Sequence, residues 1–434
     1  MRHLTRRQLA ILTAGALAAL PLAACGGTQP GAAGGATGAT AWALTGGSEA
    51  AFRGAFDTWN TDNPDRKIAV EWFANDAYKE KIRTAVGSGN APTLVYSWGG
   101  GTLADYVASG DVVDLTDATA DLMARVVPSV ALNGQVDGKT YAVPNTQSQP
   151  VVLYYNKAVL DAAGVAVPTT YAELLASAEK LKAAGVIPVA LAGQSRWPLL
   201  MWIQYLTDRI GGPEVFQAVL DGEPGAWSHP ALLEATTKIQ ELVEAGVFGT
   251  TFGSVVADAN ADAALLHTGR AAMLLQGSWT YPNLLSDAPD FVAGGDLGYT
   301  TFPAVDGGVG DPANIVGNPS NFWSVSASAP PEAQQTAKDF ISAKVLSDDA
   351  IADLLKIGTV PPITGLEDQI AHLDNAEYLT FVYGMVRDAP HFQLSWDQAL
   401  PAASAQALLT NLSELFLGQT TPEKFADAMN ATLS

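Results

Sequence analysis

The stretch Gln276-Gly277-Ser278-Trp279 places an amide, a hydroxyl and a flat indole within four residues, directly after the apolar run Met273-Leu274-Leu275. Those groups can hold a polyol, but they do not make a nucleophile and its base. Motifs that break bonds are mostly missing elsewhere. GQVDGKT, residues 134–140, approaches a phosphate-binding loop. However, three residues separate its glycines instead of four, and Pro144 stands where the following helix would grow, so the spacing predicts a β-turn. Asp258, Asn260 and Asp262 imitate the start of a calcium loop. Ala263 replaces the glycine at its sixth position and Gly269 the glutamate at its twelfth, so coordination fails. There is no Gly-x-Ser-x-Gly elbow. The five histidines (His3, His229, His267, His372, His391) lack metal-ligand spacing. No metal site, no cofactor and no catalytic residue is read from the chain. A glycoside hydrolase needs only two carboxylates, and 44 acidic residues supply many pairs, but nothing in the pattern favours one of them.

Ten tryptophans carry a stronger signal. Trp59 shares a helical face with Phe52, while Trp42 and Trp72 fall inside strand candidates, so these three read as core. Others sit at turns beside small and polar residues: Trp98 in SWGGG, Trp197 in GQSRWP, Trp279 after LLQGS, Trp323 after GNPSNF, and Trp396 in FQLSWDQ. A sugar ring has apolar C–H faces that suit an aromatic plane and a polar rim that suits amides and carboxylates. The company is appropriate: Gln276 near Trp279, Asn318 and Asn321 near Trp323, Asp397 and Gln398 beside Trp396. Trp279 and Trp396 are expected to stack on a ligand. Trp98, Trp197 and Trp323 fit stacking and packing equally. Trp202 and Trp227 read as core, with Trp202 an outer wall of the site at most.

The elements that must position these residues alternate. TAWALTGG reads as a strand ending in a glycine pair. Ser48 then caps a helix with Phe52, Phe56 and Trp59 at i, i+4 and i+7. Strand KIAVEWF, helix DAYKEKIRTAVGSG, strand TLVYSW, the turn Gly99-Gly100-Gly101 and helix LADYVASG follow. Such alternation argues for an α/β protein with parallel layers. Strand VVLYYN and helix KAVLDAAG resume the rhythm. Thr170 and Glu173 form a capping box for YAELLASAEKLKAAG, and VIPVALAG is the next strand. Residues 197–247 read as helical. AAMLLQGSW and LGYTTFP are strand regions, and the Gly/Pro-rich VDGGVGDPANIVGNPSN reads as a return passage between domains before strand FWSVSA. The last third is helical, broken at LKIGTVPPITG. In open α/β sheets ligands gather at the carboxyl ends of strands, where Trp98 and Trp279 fall.

The chain's ends and charge bound what it does. Arg2, Arg6 and Arg7 precede a short apolar stretch, and Thr5-Arg6-Arg7-Gln8-Leu9 matches a twin-arginine pattern. Leu22-Ala23-Ala24-Cys25 matches a lipobox, which predicts a signal peptide over 1–24 and lipid on Cys25. Cys25 is the only cysteine, so no disulfide is available within one chain. Residues 25–40 have little to bury and read as a flexible tether. The net charge of −21, or −24 without the leader's three arginines, repels nucleic acid and anionic lipid. The body reads as soluble and long enough for two domains.

Taken together the motifs resemble the family 1 extracellular solute-binding proteins, the maltose-binding-protein-like receptors of carbohydrate ABC importers. The likeness rests on YNKAVLDAAGVAVPTTYAEL at 155–174 and GRAAMLLQGSW at 269–279. SWGGGTLADYV, YLTDRIGGPEVF, GDPANIVGNPSNFWSVS and FQLSWDQAL are similar to actinobacterial xylobiose-binding lipoproteins. The resemblance implies a two-domain α/β fold with a hinge and an interdomain cleft. Its lobes would be 41–144 with 304–358, and 145–303 with 359–434. It also implies a binding protein and not an enzyme: a monomer, lipid-anchored on the extracellular face of the membrane, that passes a neutral oligosaccharide to permease subunits. Xylobiose or a short xylo-oligosaccharide is the sugar it points to. Another disaccharide of cellobiose or maltose type, a surface glycosidase, and an adhesin or sensor stay as alternatives. Carried over by residue, Trp279 would be the stacking tryptophan and Trp396 an aromatic wall from the C-terminal helices. Asn145 and Gln147 would be polar contacts on the first crossing, with Ser48 and Glu49 beside the cleft at a helix start.

Overall fold

A computed structural model describes residues 38–433. The leader 1–24, Cys25 and most of the tether lie outside the described residues. The first strand, Ala39–Leu44, begins two residues inside the expected tether boundary. Among the described residues no helix is long and apolar enough to cross a membrane.

Two sheets organise the molecule. In the first, Ile68–Phe73, Ala39–Leu44 and Leu94–Ser97 run parallel, as alternation with helices requires. Phe322–Val325 then inserts antiparallel between Leu94–Ser97 and Val143–Pro144. The second sheet runs in the order Phe392–Leu394, Ile315–Asn318, Gln149–Asn156, Ala271–Gly277, Ile187–Ala190, with Leu297–Thr300 also on Gln149–Asn156. Both sheets are therefore mixed and not purely parallel. The antiparallel members lie next to places where the chain crosses from one sheet to the other, and a crossing segment arrives in whatever direction it travels.

The expected lobe boundary at 304 is corrected by the register. Ile315–Asn318 pairs with Gln149 and Pro150 and with Phe392–Leu394, all in the second sheet. The return crossing is thus confined to the residues between Asn318 and Phe322. Val316 packs in the core of the second sheet, while Phe322 and Trp323 pack in that of the first.

Ala271–Gly277 shows why AAMLL is continuously apolar. Every residue of the strand is buried. Met273 and Leu275 enter one core cluster while Leu274 enters another, because both faces of a central strand are covered. The Thr170–Glu173 capping box forms as expected on Tyr171–Ala183. GQVDGKT is a hairpin, with Gln135–Val136 paired to Lys139–Thr140 and both Asp137 and Gly138 at positive φ. Ser48 occupies the N-cap position of Glu49–Asp62 but makes no side-chain capping bond. Glu49 Oε2 instead accepts from the Gly46 backbone N–H at 2.9 Å.

Candidate functional site

A cavity of about 290 Å³ lies between the two sheets, near the lower end of the ~300–1,000 Å³ of ordinary small-molecule sites. From the first sheet's side it is lined by Ser48, Phe52, Lys79, Tyr96 and Trp98. From the second come Trp197, Asp258, Asp262, Gln276, Trp279, Asn318 and Asp397, and the crossings contribute Gln147 and Asn321.

Trp98 follows directly after the strand Leu94–Ser97, so the sheet delivers its indole at a carboxyl end. It meets Tyr78 and Tyr96 edge-on at 6.0 and 5.6 Å, and the Lys79 ammonium lies 4.9 Å from its ring centroid. Trp279 stands two residues past Ala271–Gly277 and Trp197 opens the helix Trp197–Gly211. Their rings lie 5.8 Å apart at 58°. Three indoles from distant parts of the chain thus line one cavity.

The turn beneath Trp279 is pinned from below. Tyr378 Oη donates to the Ser278 carbonyl at 3.2 Å, and Tyr154 and Tyr378 share a hydroxyl contact of 2.6 Å. Ser278 Oγ donates to the Ser148 carbonyl at 3.1 Å, tying the turn to the first crossing. On the opposite side, the glycines of SWGGG allow close approach. A Cβ on Gly100 would lie 2.5 Å from the Gln398 carbonyl, and one on Gly101 would lie 2.7 Å from those of Ala399 and Leu400. Backbone can therefore meet backbone where Asp397 enters the cleft.

Polar partners divide the lining into engaged and unengaged groups. Gln276 is engaged: its Nε2 donates to Asp262 Oδ2 at 2.9 Å and its Oε1 accepts from the Gly277 N–H at 3.1 Å. Asp397 Oδ2 lies 3.3 Å from Lys79 Nζ and accepts from Gln398 Nε2 at 2.8 Å. Asn321 Nδ2 donates to the Tyr96 hydroxyl. Gln147 Oε1, Asn318 Oδ1, Asn321 Oδ1 and Trp197 Nε1 are buried without a protein partner. Burial pushes the Asp262 carboxyl above the usual range, against hydrogen bonds from Gln276 and the Ala263 N–H. Burial also raises Asp258, opposed first by the Asp76 backbone N–H that it accepts at 2.8 Å.

Of the residues expected to face a ligand, Trp98, Gln147, Trp197, Gln276, Trp279, Asn321 and Asp397 line the cavity; Glu49, Asn145, Trp323 and Trp396 do not. Trp396 is 1% exposed and stacks on Phe216 at 4.1 Å, edge-on to Trp227. Adjacent helical positions diverge by about 100°, so Asp397 and Trp396 point to different sides. Trp323 is fully buried against Phe52, Phe56 and Tyr96 in the first core. Glu49 is used by Gly46 and Arg53. Asn145 is 4% exposed and lies in the crossing, where its N–H donates to the Asn321 carbonyl at 2.8 Å. Trp202 is core, edge-on to Phe248 and Phe302.

Lys79, Asp258 and Asp262 line the site without having been singled out as ligand contacts. The two aspartates had a legible signal, since Asp258-x-Asn260-x-Asp262 stood out as a failed calcium loop. Failure as a cation site left its carboxylates unassigned. Lys79 had none, being one helix lysine among several.

The model of the bacterial extracellular solute-binding protein family matches residues 42–350. A "Probable sugar-binding periplasmic protein" of Mesorhizobium japonicum is 29% identical over 247 residues, 56% of this chain and 57% of that one. The chain therefore spans little more than half the length of the curated relatives it matches. A solved structure from work on xylan utilization by the thermophilic bacterium Caldanaerobius polysaccharolyticus superposes with a TM-score of 0.81 at 28% identity. It covers 92% of this chain and all of its own. A chitin oligosaccharide binding protein shares the fold, with a TM-score of 0.82 at 23% identity over 91% of this chain and 98% of its own.

Proposed function

The chain belongs to the bacterial extracellular solute-binding proteins, and we propose that it is the sugar receptor of an ABC importer, taking a short neutral oligosaccharide into the cleft between its sheets. One observation carries this reading. Three indoles, Trp98, Trp197 and Trp279, line the same cavity as buried, unpartnered polar atoms on Gln147, Trp197, Asn318 and Asn321. Aromatic planes suit C–H faces, and buried polar atoms are costly until a ligand or water completes their hydrogen bonds. A ring of hydroxyls does both. The small cavity favours a disaccharide, and the xylan-utilization likeness supports xylobiose. A twin-arginine leader would export such a receptor, and lipid on Cys25 would hold it on the outer face of the membrane beside its permease.

Calorimetric titration against xylobiose, xylotriose, cellobiose and maltose tests the reading. Saturable one-to-one binding, tightest for xylobiose and with the sugar recovered intact, is the expected result. Tighter binding of cellobiose or maltose would reassign the sugar. Hydrolysis of any of the four, or binding of none, would overturn the receptor reading.

A further inference from the structure

The cavity is uneven in charge. Its lining includes three carboxylates, Asp258, Asp262 and Asp397, and one cation, Lys79. Lys79 is already committed, lying 3.3 Å from Asp397 Oδ2 and over the Trp98 ring. Asp258 and Asp262 have no ion-pair partner among the described residues. Asp262 is only 3% exposed, and what holds it is neutral: Gln276 Nε2 on Oδ2 and the Ala263 N–H on Oδ1, at 2.9 and 3.0 Å. A carboxylate buried without a cation is expensive. A second observation directs this wall toward a ligand: Gln147, 1% exposed and in the same lining, has an unpartnered Oε1.

We propose that Asp262, backed by Asp258, sets the charge class of the ligand, so that the cleft accepts neutral or amino-bearing sugar rings and rejects rings that carry a carboxylate. The proposal rests on the sugar-receptor reading above and deepens it. Each Asp262 oxygen, with one bond made to a neutral donor, retains a lone pair that a hydroxyl or an ammonium can satisfy. A uronate brings a further anion and no compensating cation, and at short range in a low-dielectric site that repulsion is large. The chain's net charge of −21 has the same sign and adds to it. A purely structural Asp262, present only to orient the Gln276 amide, would leave discrimination by charge untouched.

The test compares two disaccharides of one size, glucosyl-xylose and glucuronosyl-xylose, on the full chain and on Asp262→Asn and Asp258→Asn. The readout is the ratio of the two dissociation constants, so that a general loss of affinity cancels. In the unaltered protein the acid should bind about tenfold or more weakly than its neutral counterpart glucosyl-xylose. Asp262→Asn should shrink that ratio by about threefold or more, and Asp258→Asn should shrink it less. If Asp262→Asn does not fold, Asp258→Asn, at an exposed position, decides the matter alone. Equal binding of both sugars by the unaltered chain, or a ratio unmoved by the substitutions, would overturn the charge filter while leaving the receptor reading intact. Binding of neither sugar, nor of xylobiose, cellobiose or maltose, would remove the receptor reading and this inference with it.

Discussion

The indole of Trp279 folds back over its own strand, and a Cβ built on Gly277 would lie 1.9 Å from that ring. Gly277 is not among the residues at positive φ, so alanine there meets no backbone penalty and acts on the ring alone. Gly277→Ala should therefore swing Trp279 away from the cavity and weaken sugar binding roughly tenfold, about 1.4 kcal/mol, the order expected for one lost stacking contact. Calorimetry on this variant beside Trp279→Ala checks it. If Gly277→Ala binds like the parent while Trp279→Ala does not, the ring's position does not depend on that glycine. At this scale the sequence was informative about residue type and silent about direction. Trp279 and Trp396 each follow a serine and each has amide or acid neighbours, yet one lines the cavity and the other stacks on Phe216 in the core. A ring's orientation depends on which tertiary neighbour takes its face, and local spacing does not encode that.

The helix Asn75–Gly87 was legible as an element, since Tyr78, Ile82, Ala85 and Val86 recur on one buried face. Its function lies in the residue beside that face. Lys79 reaches across the cleft to Asp397, which the helix Trp396–Ala399 presents from the second sheet's side. No periodicity foretells a partner more than 300 positions away. Two further contacts bridge the same gap: the Gly47 N–H to Asn283 Oδ1 at 3.1 Å and the Asp76 N–H to Asp258 Oδ2. In a receptor that closes on sugar these contacts would form as the cleft shuts, so a neutral ligand would acquire salt dependence from the protein's own charges. Screening weakens the Lys79–Asp397 attraction but also weakens repulsion between the two acidic halves, so the parent's trend alone is ambiguous. The difference between parent and Lys79→Met isolates the pair. Lys79→Met should lower xylobiose affinity about threefold to tenfold, with the deficit narrowing as salt rises from about 0.02 to 0.5 M. A deficit that ignores salt would mean that Lys79 acts through its packing on Trp98 instead.

At the scale of the whole molecule, the topology decides what can move. Phe322–Val325 sits between Leu94–Ser97 and Val143–Pro144, so the first sheet closes only after the chain has built most of the second and returned. The alternating elements announced an α/β class, but the strand order was not legible, because pairing partners separated by more than 200 residues leave no local mark. Between the sheets the chain crosses at residues 145–148, again between Asn318 and Phe322, and a third time between Val325 of the first sheet and Phe392 of the second. They lie side by side: the Asn145 N–H donates to the Asn321 carbonyl at 2.8 Å, and the Ser148 N–H donates to the Val360 carbonyl of the third passage at 2.9 Å. Adjacent crossings form an axis about which two packed bodies can rotate without unfolding. The bonds spanning the cleft mouth are few and polar, and water can replace each of them. The ligand-free chain should therefore populate open conformers, and saturating xylobiose should draw it toward the arrangement in which Lys79 meets Asp397. Small-angle scattering reads this directly as a fall in radius of gyration on adding sugar, larger than the fall seen with maltose at equal concentration. A radius unchanged at saturation, with binding proven by calorimetry on the same sample, would mean that the cleft is already closed before the sugar arrives. Access would then have to come from local motion at the rim and not from rotation of the two bodies.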